Sequence, residues 1–360
     1  MNLKRINKVI DEMNKRGIDH LIISDPSSID YLIGYKNHPG ERMYVLLLKS
    51  DGHHILFLNN LFYLDQQLDL DIVWYNDTDN CIDVLAQYLK DAHCIGVDKM
   101  WSAKFLLPLM QYGLDEVCFE LGSICVDYVR MIKDEEEIEL MKKASRINDQ
   151  AIDQIIELIK GGQLSEEQAS LKILEINSLL GCDGNSFSPI VAYGKNCADT
   201  HHSGDDTMLK EGDSIIIDMG GIYKGYCSDM TRTLFYKKAS DEQIRVYELV
   251  KNANLAAEAM IRPGVKLSEI DKTARDFIKE GGFVAEFNHR LGHFIGRDVH
   301  EYGDVSSSFD MEVEEGMIFS IEPGVYIQGE FGVRVEDLVL VTKDGCEVLN
   351  SYSKDLTIIE

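Results

Sequence analysis

Over the first 17 residues charged and aliphatic positions alternate at helical spacing, and the pattern stops at Gly17, which predicts a helix over 1–17. The apolar run Leu21-Ile22-Ile23 then reads as a short buried strand, broken at Asp25-Pro26. Two further apolar runs, 43–48 and 55–58, flank Asp51-Gly52, a dipeptide that favours a hairpin turn. A helix near 80–91 leads to another strand at 94–97. Strands alternating with helices in this way predict an α/β domain on a mixed sheet.

From 134 to 159 the apolar positions Ile138, Met141, Ile152, Ile155 and Ile159 form one stripe of a long helix. Glu135, Glu136 and Glu137 occupy its first turn, where the helix dipole favours negative charge, and Gly161-Gly162 ends it. Further helices are expected at 165–180, 240–261 and 267–280, with strands at 187–193, 213–219, 226–235, 316–322 and 332–341. This pattern predicts an α+β layer, helices covering an antiparallel sheet. A length of 360 residues also favours two domains, and the boundary is placed near 125, giving 1–125 and 126–360.

Composition narrows the function. The chain is 45% hydrophobic and 27% charged with a net charge of −26, a balance that repels phosphate backbones and anionic membranes and argues against nucleic-acid binding. Its eight cysteines are scattered without a C-x-x-C spacing, so reduced buried thiols are expected in place of a disulfide framework or zinc ribbon. The amino-terminal segment lacks the uninterrupted apolar stretch of a signal peptide, and no run approaches the ~18 apolar residues of a membrane span. A cytoplasmic protein is the expectation.

Candidate chemistry lies in the second half. In the segment 214–233 a hairpin with its turn at Tyr223-Lys224 would set Asp218 and Asp229 opposite each other on one sheet face. Like charges so placed are destabilising, and buried carboxylates without partners cost several kcal/mol, penalties that a bound cation would remove. Surface aspartates on an edge hairpin are the alternative. Glu322 ends a strand before Pro323-Gly324, and alternation in 332–340 puts Arg334 and Glu336 on one face with Val333 and Val335 on the other. Arg334 then suits orienting a carboxylate or binding an oxyanion, with a structural ion pair as the alternative. Five histidines fall between 201 and 300, three of them (His289, His293, His300) within one glycine-rich run. Asp218, Asp229, His293, Glu322 and Glu336 make an oxygen-rich set whose four negative charges match two divalent ions, the ligand pattern of a two-metal hydrolase.

The run HRLGHFIGRDVHE, together with DMGGIYKGYCSDMTRT, SIEPGVYI and GVRVED in that order, resembles the creatinase/methionine aminopeptidase-like "pita-bread" metallopeptidases. It looks most like their proline-specific branch, Xaa-Pro dipeptidase (prolidase) and Xaa-Pro aminopeptidase. The likeness covers 130–360, and the α/β segment before it suits the family's smaller domain. The resemblance implies that Asp218 binds one metal, that Asp229 and Glu336 bridge two, and that His293 and Glu322 complete the other site. Glu322 would also take a proton from the attacking water. His201, His289 and His300 match active-site histidines that hold the scissile carbonyl and stabilise the tetrahedral intermediate. His202 adjoins His201, but neighbours on an extended segment face opposite ways, and spacing favours His201. The implied cofactors are two divalent ions, manganese first, cobalt or zinc otherwise. Short proline-containing peptides are the implied partners, and a homodimer the implied assembly.

Two positions depart from the family pattern. Arg297 follows Gly296 where the family is usually aliphatic. Asp304 stands four residues past His300, where several dipeptidase relatives carry an arginine that holds the substrate's carboxylate. Arg297 is a candidate for the missing positive charge, or else a surface residue. Xaa-Pro dipeptidase is the first reading and Xaa-Pro aminopeptidase the second. A non-catalytic binding module, or a relative hydrolysing other C–N bonds, completes the alternatives. Methionine aminopeptidase is disfavoured because it needs no such amino-terminal domain.

Overall fold

Gly17 adopts φ 69° and closes its N–H onto the carbonyls of Met13 and Asn14, ending the first helix where a left-handed residue is needed. In the computed structural model, which describes residues 1–64, 67–113 and 116–360, the chain divides into units Met1–Arg130 and Met131–Glu360. The division lies just past the 125/126 boundary expected from sequence. Among the described residues, no helix is long and apolar enough to cross a membrane.

The first unit runs α1 (Leu3–Arg16), β1 (His20–Ile23), α2 (Pro26–Ile33), β2 (Val45–Lys49), β3 (Ile55–Asn59) and β4 (Asp71–Tyr75). It continues through α3 (Cys81–Ala86), β5 (Cys94–Val97), α4 (Ala103–Met110), β6 (Cys118–Leu121) and α5 (Ile124–Met131). The sheet order is β4-β3-β2-β1-β5-β6. Strand β2 is antiparallel to both β1 and β3, and the other pairs are parallel, the mixed sheet that the pattern predicts. Alternate residues feed two cores: Leu21, Ile23, Leu46 and Leu48 pack with α1, α2 and α5, while Ile22, Val45 and Leu47 pack with α3 and α4. Burial on both faces is why these strands read as unbroken apolar runs.

Sequence reading missed α2, because Asp25-Pro26 looked like a break. Asp25 is instead the N-cap, accepting the Ser28 N–H at 2.8 Å, and Pro26 occupies the first helical position, where its missing N–H costs nothing. Strands β4 and β6 also escaped: β4 carries the apolar run Ile72-Val73-Trp74-Tyr75 but, like β6, is an edge strand whose side chains are only partly covered.

The second unit opens with α6 (Glu135–Ile159), capped by Asp134 and Glu137 in a reciprocal capping box, then α7 (Glu166–Leu179). Short strands β7 (Gly184–Asn185) and β8 (Ile190–Tyr193) lead to β9 (Ser214–Met219), β10 (Gly221–Tyr223), β11 (Tyr226–Cys227) and β12 (Met230–Tyr236). Helices α8 (Asp241–Met260) and α9 (Leu267–Glu280) precede β13 (Gly292–Phe294), β14 (Glu301–Val305), β15 (Ile318–Ile321) and β16 (Gly324–Ile327). The unit ends with β17 (Phe331–Arg334), β18 (Asp337–Val341), β19 (Cys346–Val348) and β20 (Ile358–Ile359). Its main sheets are β20-β12-β9-β8 and β14-β13-β15-β18-β19, antiparallel except at the parallel β12/β20 edge.

Two strands expected to be continuous are broken. The run 226–235 divides into β11 and β12 at Ser228-Asp229, and 332–341 divides into β17 and β18 at Val335-Glu336. Glu322 likewise falls between β15 and β16. At each break the chain passes from one sheet to another, so three of the candidate carboxylates occupy places where ladder pairing is interrupted.

Arg232 of β12 straps these breaks together. Only 1% exposed, it donates to Asp337 Oδ1 and to the Glu336 and Tyr352 carbonyls, each at 2.7 Å. Lys354 holds the other Asp337 oxygen at 2.8 Å. Removing Arg232 leaves a buried carboxylate half-compensated. Arg232→Met is expected to lower unfolding free energy by about 3 kcal/mol or more in a urea titration; a loss under about 1 kcal/mol would show that the strap is dispensable.

Candidate metal centre

Asp218 sits on β9, and its cross-strand partner on β12 is Thr231, not Asp229. The hairpin turn is one residue later than expected: Tyr223 pairs with Tyr226, leaving Lys224 (φ 48°) and Gly225 (φ 79°) as the two turn residues. Positive φ at both is what a type I′ turn requires. A one-residue shift of the turn moves the register by two. Asp229 therefore becomes a diagonal neighbour of Asp218 and stays on the same face.

On the other sheet, Gly292 lets β13 approach β15 so closely that a Cβ there would lie 1.9 Å from the Ser320 carbonyl oxygen. The contact lets the His293 N–H reach Ser320 Oγ at 3.0 Å. His293 Nδ1 lies 3.2 Å from the Phe294 carbonyl, a pure acceptor, so Nδ1 carries the proton and Nε2 presents a lone pair. That lone pair faces three carboxylates: Asp229 at 3.6 Å, Glu322 at 3.7 Å and Glu336 at 3.9 Å. Asp218 joins through Arg334, whose Nη2 donates to Asp218 Oδ2 at 2.7 Å. Asp218 Oδ1 and Asp229 Oδ1 are buried without a hydrogen-bond partner. All five residues line one cavity of about 890 Å³.

Electrostatics follow from this crowding. Burial, then Glu336 and Asp218, drive the Asp229 carboxyl well above its usual range. Burial and Glu322 do the same to Glu336. Burial lifts Glu322 to about 7, against the pull of Arg334. His293 is pushed down to about 3 by burial and by His300. Without a counter-charge the site keeps protons on its acids and off its imidazole. An acceptor ringed by acceptors, with orphaned carboxylate oxygens beside it, fits a divalent cation of the kind that binds carboxylate and imidazole.

The other expected residues separate clearly. His201 is exposed and lines the cavity. His202 is tied at Nε2, 2.7 Å from Glu166, whose two oxygens also accept from Tyr193 N, Asn196 Nδ2 and Asp205 N. Glu166 thereby pins the loop that carries His201. His300 lines the cavity with its ring edge-on to His293, centroids 4.4 Å apart, and burial together with Arg290 and His201 lowers its pKa. His289 is committed at both nitrogens. Nδ1 donates to the Arg290 carbonyl at 2.7 Å, so Nε2 accepts from Tyr326 Oη at 3.0 Å. Tyr326 Oη in turn accepts from Arg334 Nη1 at 3.1 Å. With Nε on Thr231 Oγ1 at 3.1 Å, each nitrogen of Arg334 donates to a protein oxygen, three of its five N–H groups in all, which fits the guanidinium for orienting the groups around it.

Arg297 is not among the residues lining the cavity. Its guanidinium lies over the Tyr226 ring, 5.2 Å from the centroid, and its N–H donates to Glu301. Arg290 lines the cavity and pairs with Asp304. Sequence reasoning also gave no role to Thr231, which donates to Glu336 Oε2 at 2.7 Å, or to Tyr326. Tyr326 lies in the SIEPGVYI segment two residues past Gly324, the one available signal.

Residues 139–343 match metallopeptidase family M24, and residues 5–132 match the creatinase/prolidase N-terminal domain. An uncharacterized peptidase of Staphylococcus aureus is 34% identical over 355 residues, covering 98% of this chain and 100% of its own. A recombinant prolidase from Thermococcus sibiricus superposes with a TM-score of 0.93 at 32% identity, over 100% of both chains. An Xaa-Pro dipeptidase from Bacillus anthracis gives 0.90 at 29% identity, over 99% of both.

A carboxyl whose folded-state pKa is raised binds its proton more tightly folded than unfolded. The stability contributed by Glu322 is thus full below its ordinary 4.5 and lost as pH rises through about 7. Metal-free protein is expected to show a Tm that falls across that window, and Mn²⁺ to raise Tm more at about pH 8 than at about pH 5.5. Equal rises at both would argue against a cation among these acids. Glu336→Gln is expected to raise the Tm of metal-free protein and to abolish the metal-induced rise.

Proposed function

The chain belongs to metallopeptidase family M24, and from that premise we propose that it hydrolyses the peptide bond preceding proline, as an Xaa-Pro dipeptidase using two divalent ions, manganese foremost. The observation that carries this reading is the His293 lone pair facing three carboxylates on the wall of a substrate-sized cavity. The likeness to a prolidase and to an Xaa-Pro dipeptidase along nearly the whole chain supports the choice of substrate.

In this reading Asp218, Asp229, His293, Glu322 and Glu336 would hold the two ions, Asp218 on one side of the site and His293 and Glu322 on the other. Bound divalent ions supply polarisation of the scissile carbonyl and a lowered pKa for the attacking water. The chain's own groups do the rest. Glu322, on the cavity wall, takes a proton from water and returns it to the departing prolyl nitrogen, which must gain one to leave. His300 and His201, facing the cavity, donate hydrogen bonds to the carbonyl oxygen as it gains charge. His289 has no donor to spare and acts as a fixed wall, held by Tyr326 and the Arg290 carbonyl. Arg334 orients Asp218. An X-Pro bond is a tertiary amide without an N–H, so a site that holds its substrate through the carbonyl suits it.

Asp304, in the place where dipeptidase relatives carry an arginine, is the one feature that favours Xaa-Pro aminopeptidase activity on longer peptides. Manganese-reconstituted enzyme is expected to cleave Ala-Pro, to leave Ala-Pro-Ala nearly untouched and to ignore Met-Ala. Rapid release of alanine from Ala-Pro-Ala would replace the dipeptidase reading with the aminopeptidase one. His300→Ala is expected to lower kcat by roughly 100-fold, the scale of a lost oxyanion donor, with metal content unchanged; an unaltered kcat would remove His300 from the chemistry.

A further inference from the structure

We propose that Arg290, tethered by Asp304, is the group that recognises the free carboxylate of an X-Pro dipeptide; this rests on the reading above and specifies its substrate. In a dipeptide the carboxylate carbon lies about 2.5 Å from the scissile nitrogen, the span of two backbone bonds. Any cation that binds it must therefore stand beside the groups acting on the scissile bond.

Among the described residues lining the cavity, the arginines are Arg290 and Arg334, and there is no lysine. Arg334 is 3% exposed, with every guanidinium nitrogen committed to protein. Arg290 is different. Its side chain is 35% exposed, and Nη1 pairs with Asp304, while Nε and Nη2 take no side-chain or carbonyl partner among the described residues. Its charge is felt at His293, His300 and Glu322, the groups that flank the reaction. The Arg290 carbonyl also holds His289, so the backbone at this residue is fixed.

Asp304 lies on β14 opposite His293 of β13, and Arg290 stands just ahead of β13. The ion pair between Arg290 and Asp304 joins the two segments, and Arg290 is the member that lines the cavity. Asp304 does two things for Arg290. It fixes one edge of the guanidinium, so the other edge points out for a carboxylate, and it opposes collapse of the arginine onto the acids below. A substrate ending in an amide brings no negative charge, and one extended past proline carries its carboxylate a residue farther from the scissile bond, so neither makes the contact that a dipeptide makes here.

The test is steady-state kinetics of manganese-loaded enzyme on Ala-Pro, Ala-Pro-amide and Ala-Pro-Ala, for the natural protein and for Arg290→Met and Arg290→Lys. The natural protein is expected to favour Ala-Pro over its amide. Arg290→Met should reduce that ratio of kcat/KM by roughly 10- to 100-fold, the range for a lost charge-assisted contact, chiefly through KM. Arg290→Lys should recover part of the ratio, which a purely structural role would not predict. A ratio that stays within about twofold in Arg290→Met, or a natural preference for the amide, overturns the inference while the peptidase reading stands. No cleavage of any of the three peptides by the natural protein overturns both.

Discussion

Repulsion among buried carboxylates is the constraint around which the second unit is organised. Asp218, Asp229, Glu322 and Glu336 line one cavity with the His293 lone pair, in surroundings where an unbalanced charge is costly. The fold spends strand continuity to bring them there: three of the four interrupt a strand at the point where the chain changes sheets. Backbone groups freed by the interruptions are re-engaged locally. The Glu336 N–H meets the Thr231 carbonyl at 3.1 Å and the Glu322 N–H meets the Leu291 carbonyl at 2.8 Å, so the acids are held by main chain as well as by side chain.

Around these acids the polar groups are arranged with a consistent direction of donation. Arg334 donates to Thr231, Tyr326 and Asp218, Thr231 donates onward to Glu336, and Tyr326 donates onward to His289. One buried cation thus reaches an acid, a second acid and an imidazole through at most one intermediate hydroxyl. Each hydroxyl accepts one bond and gives one, leaving no rotamer in which the network is equally satisfied. Such networks rigidify a site before any ligand enters.

Much of the arrangement could be read from the sequence, and the failures have physical causes. The first unit's inner strands were legible because both faces are buried, while β4 and β6, short edge strands whose side chains are only partly covered, were not. Asp218, Asp229, His293, Glu322 and Glu336 could be named since acids inside apolar strand patterns are conspicuous, and the structure brings them to one cavity. Thr231 and Tyr326 stayed hidden, because a hydroxyl on an apolar strand looks the same whether it relays a hydrogen bond or merely packs. The choice between Arg290 and Arg297 was beyond reach for a different reason. They flank the short strand β13 in one run of sequence, and only their different neighbours, the cavity for Arg290 and the Tyr226 ring for Arg297, separate them.

The hairpin between Asp218 and Asp229 carries a parity rule. Pleating alternates sides with every residue, so the two aspartates share a side only while the pairing offset between β9 and β12 keeps its present parity. Gaining or losing two residues inside either arm would slide the pair along the ladder and leave both side chains aimed inward. A single residue gained or lost there would swing one carboxylate to the opposite surface unless a bulge absorbed it. Changes in length confined to the tip at Lys224-Gly225 escape the rule, which marks that tip as the place where the loop is free to vary.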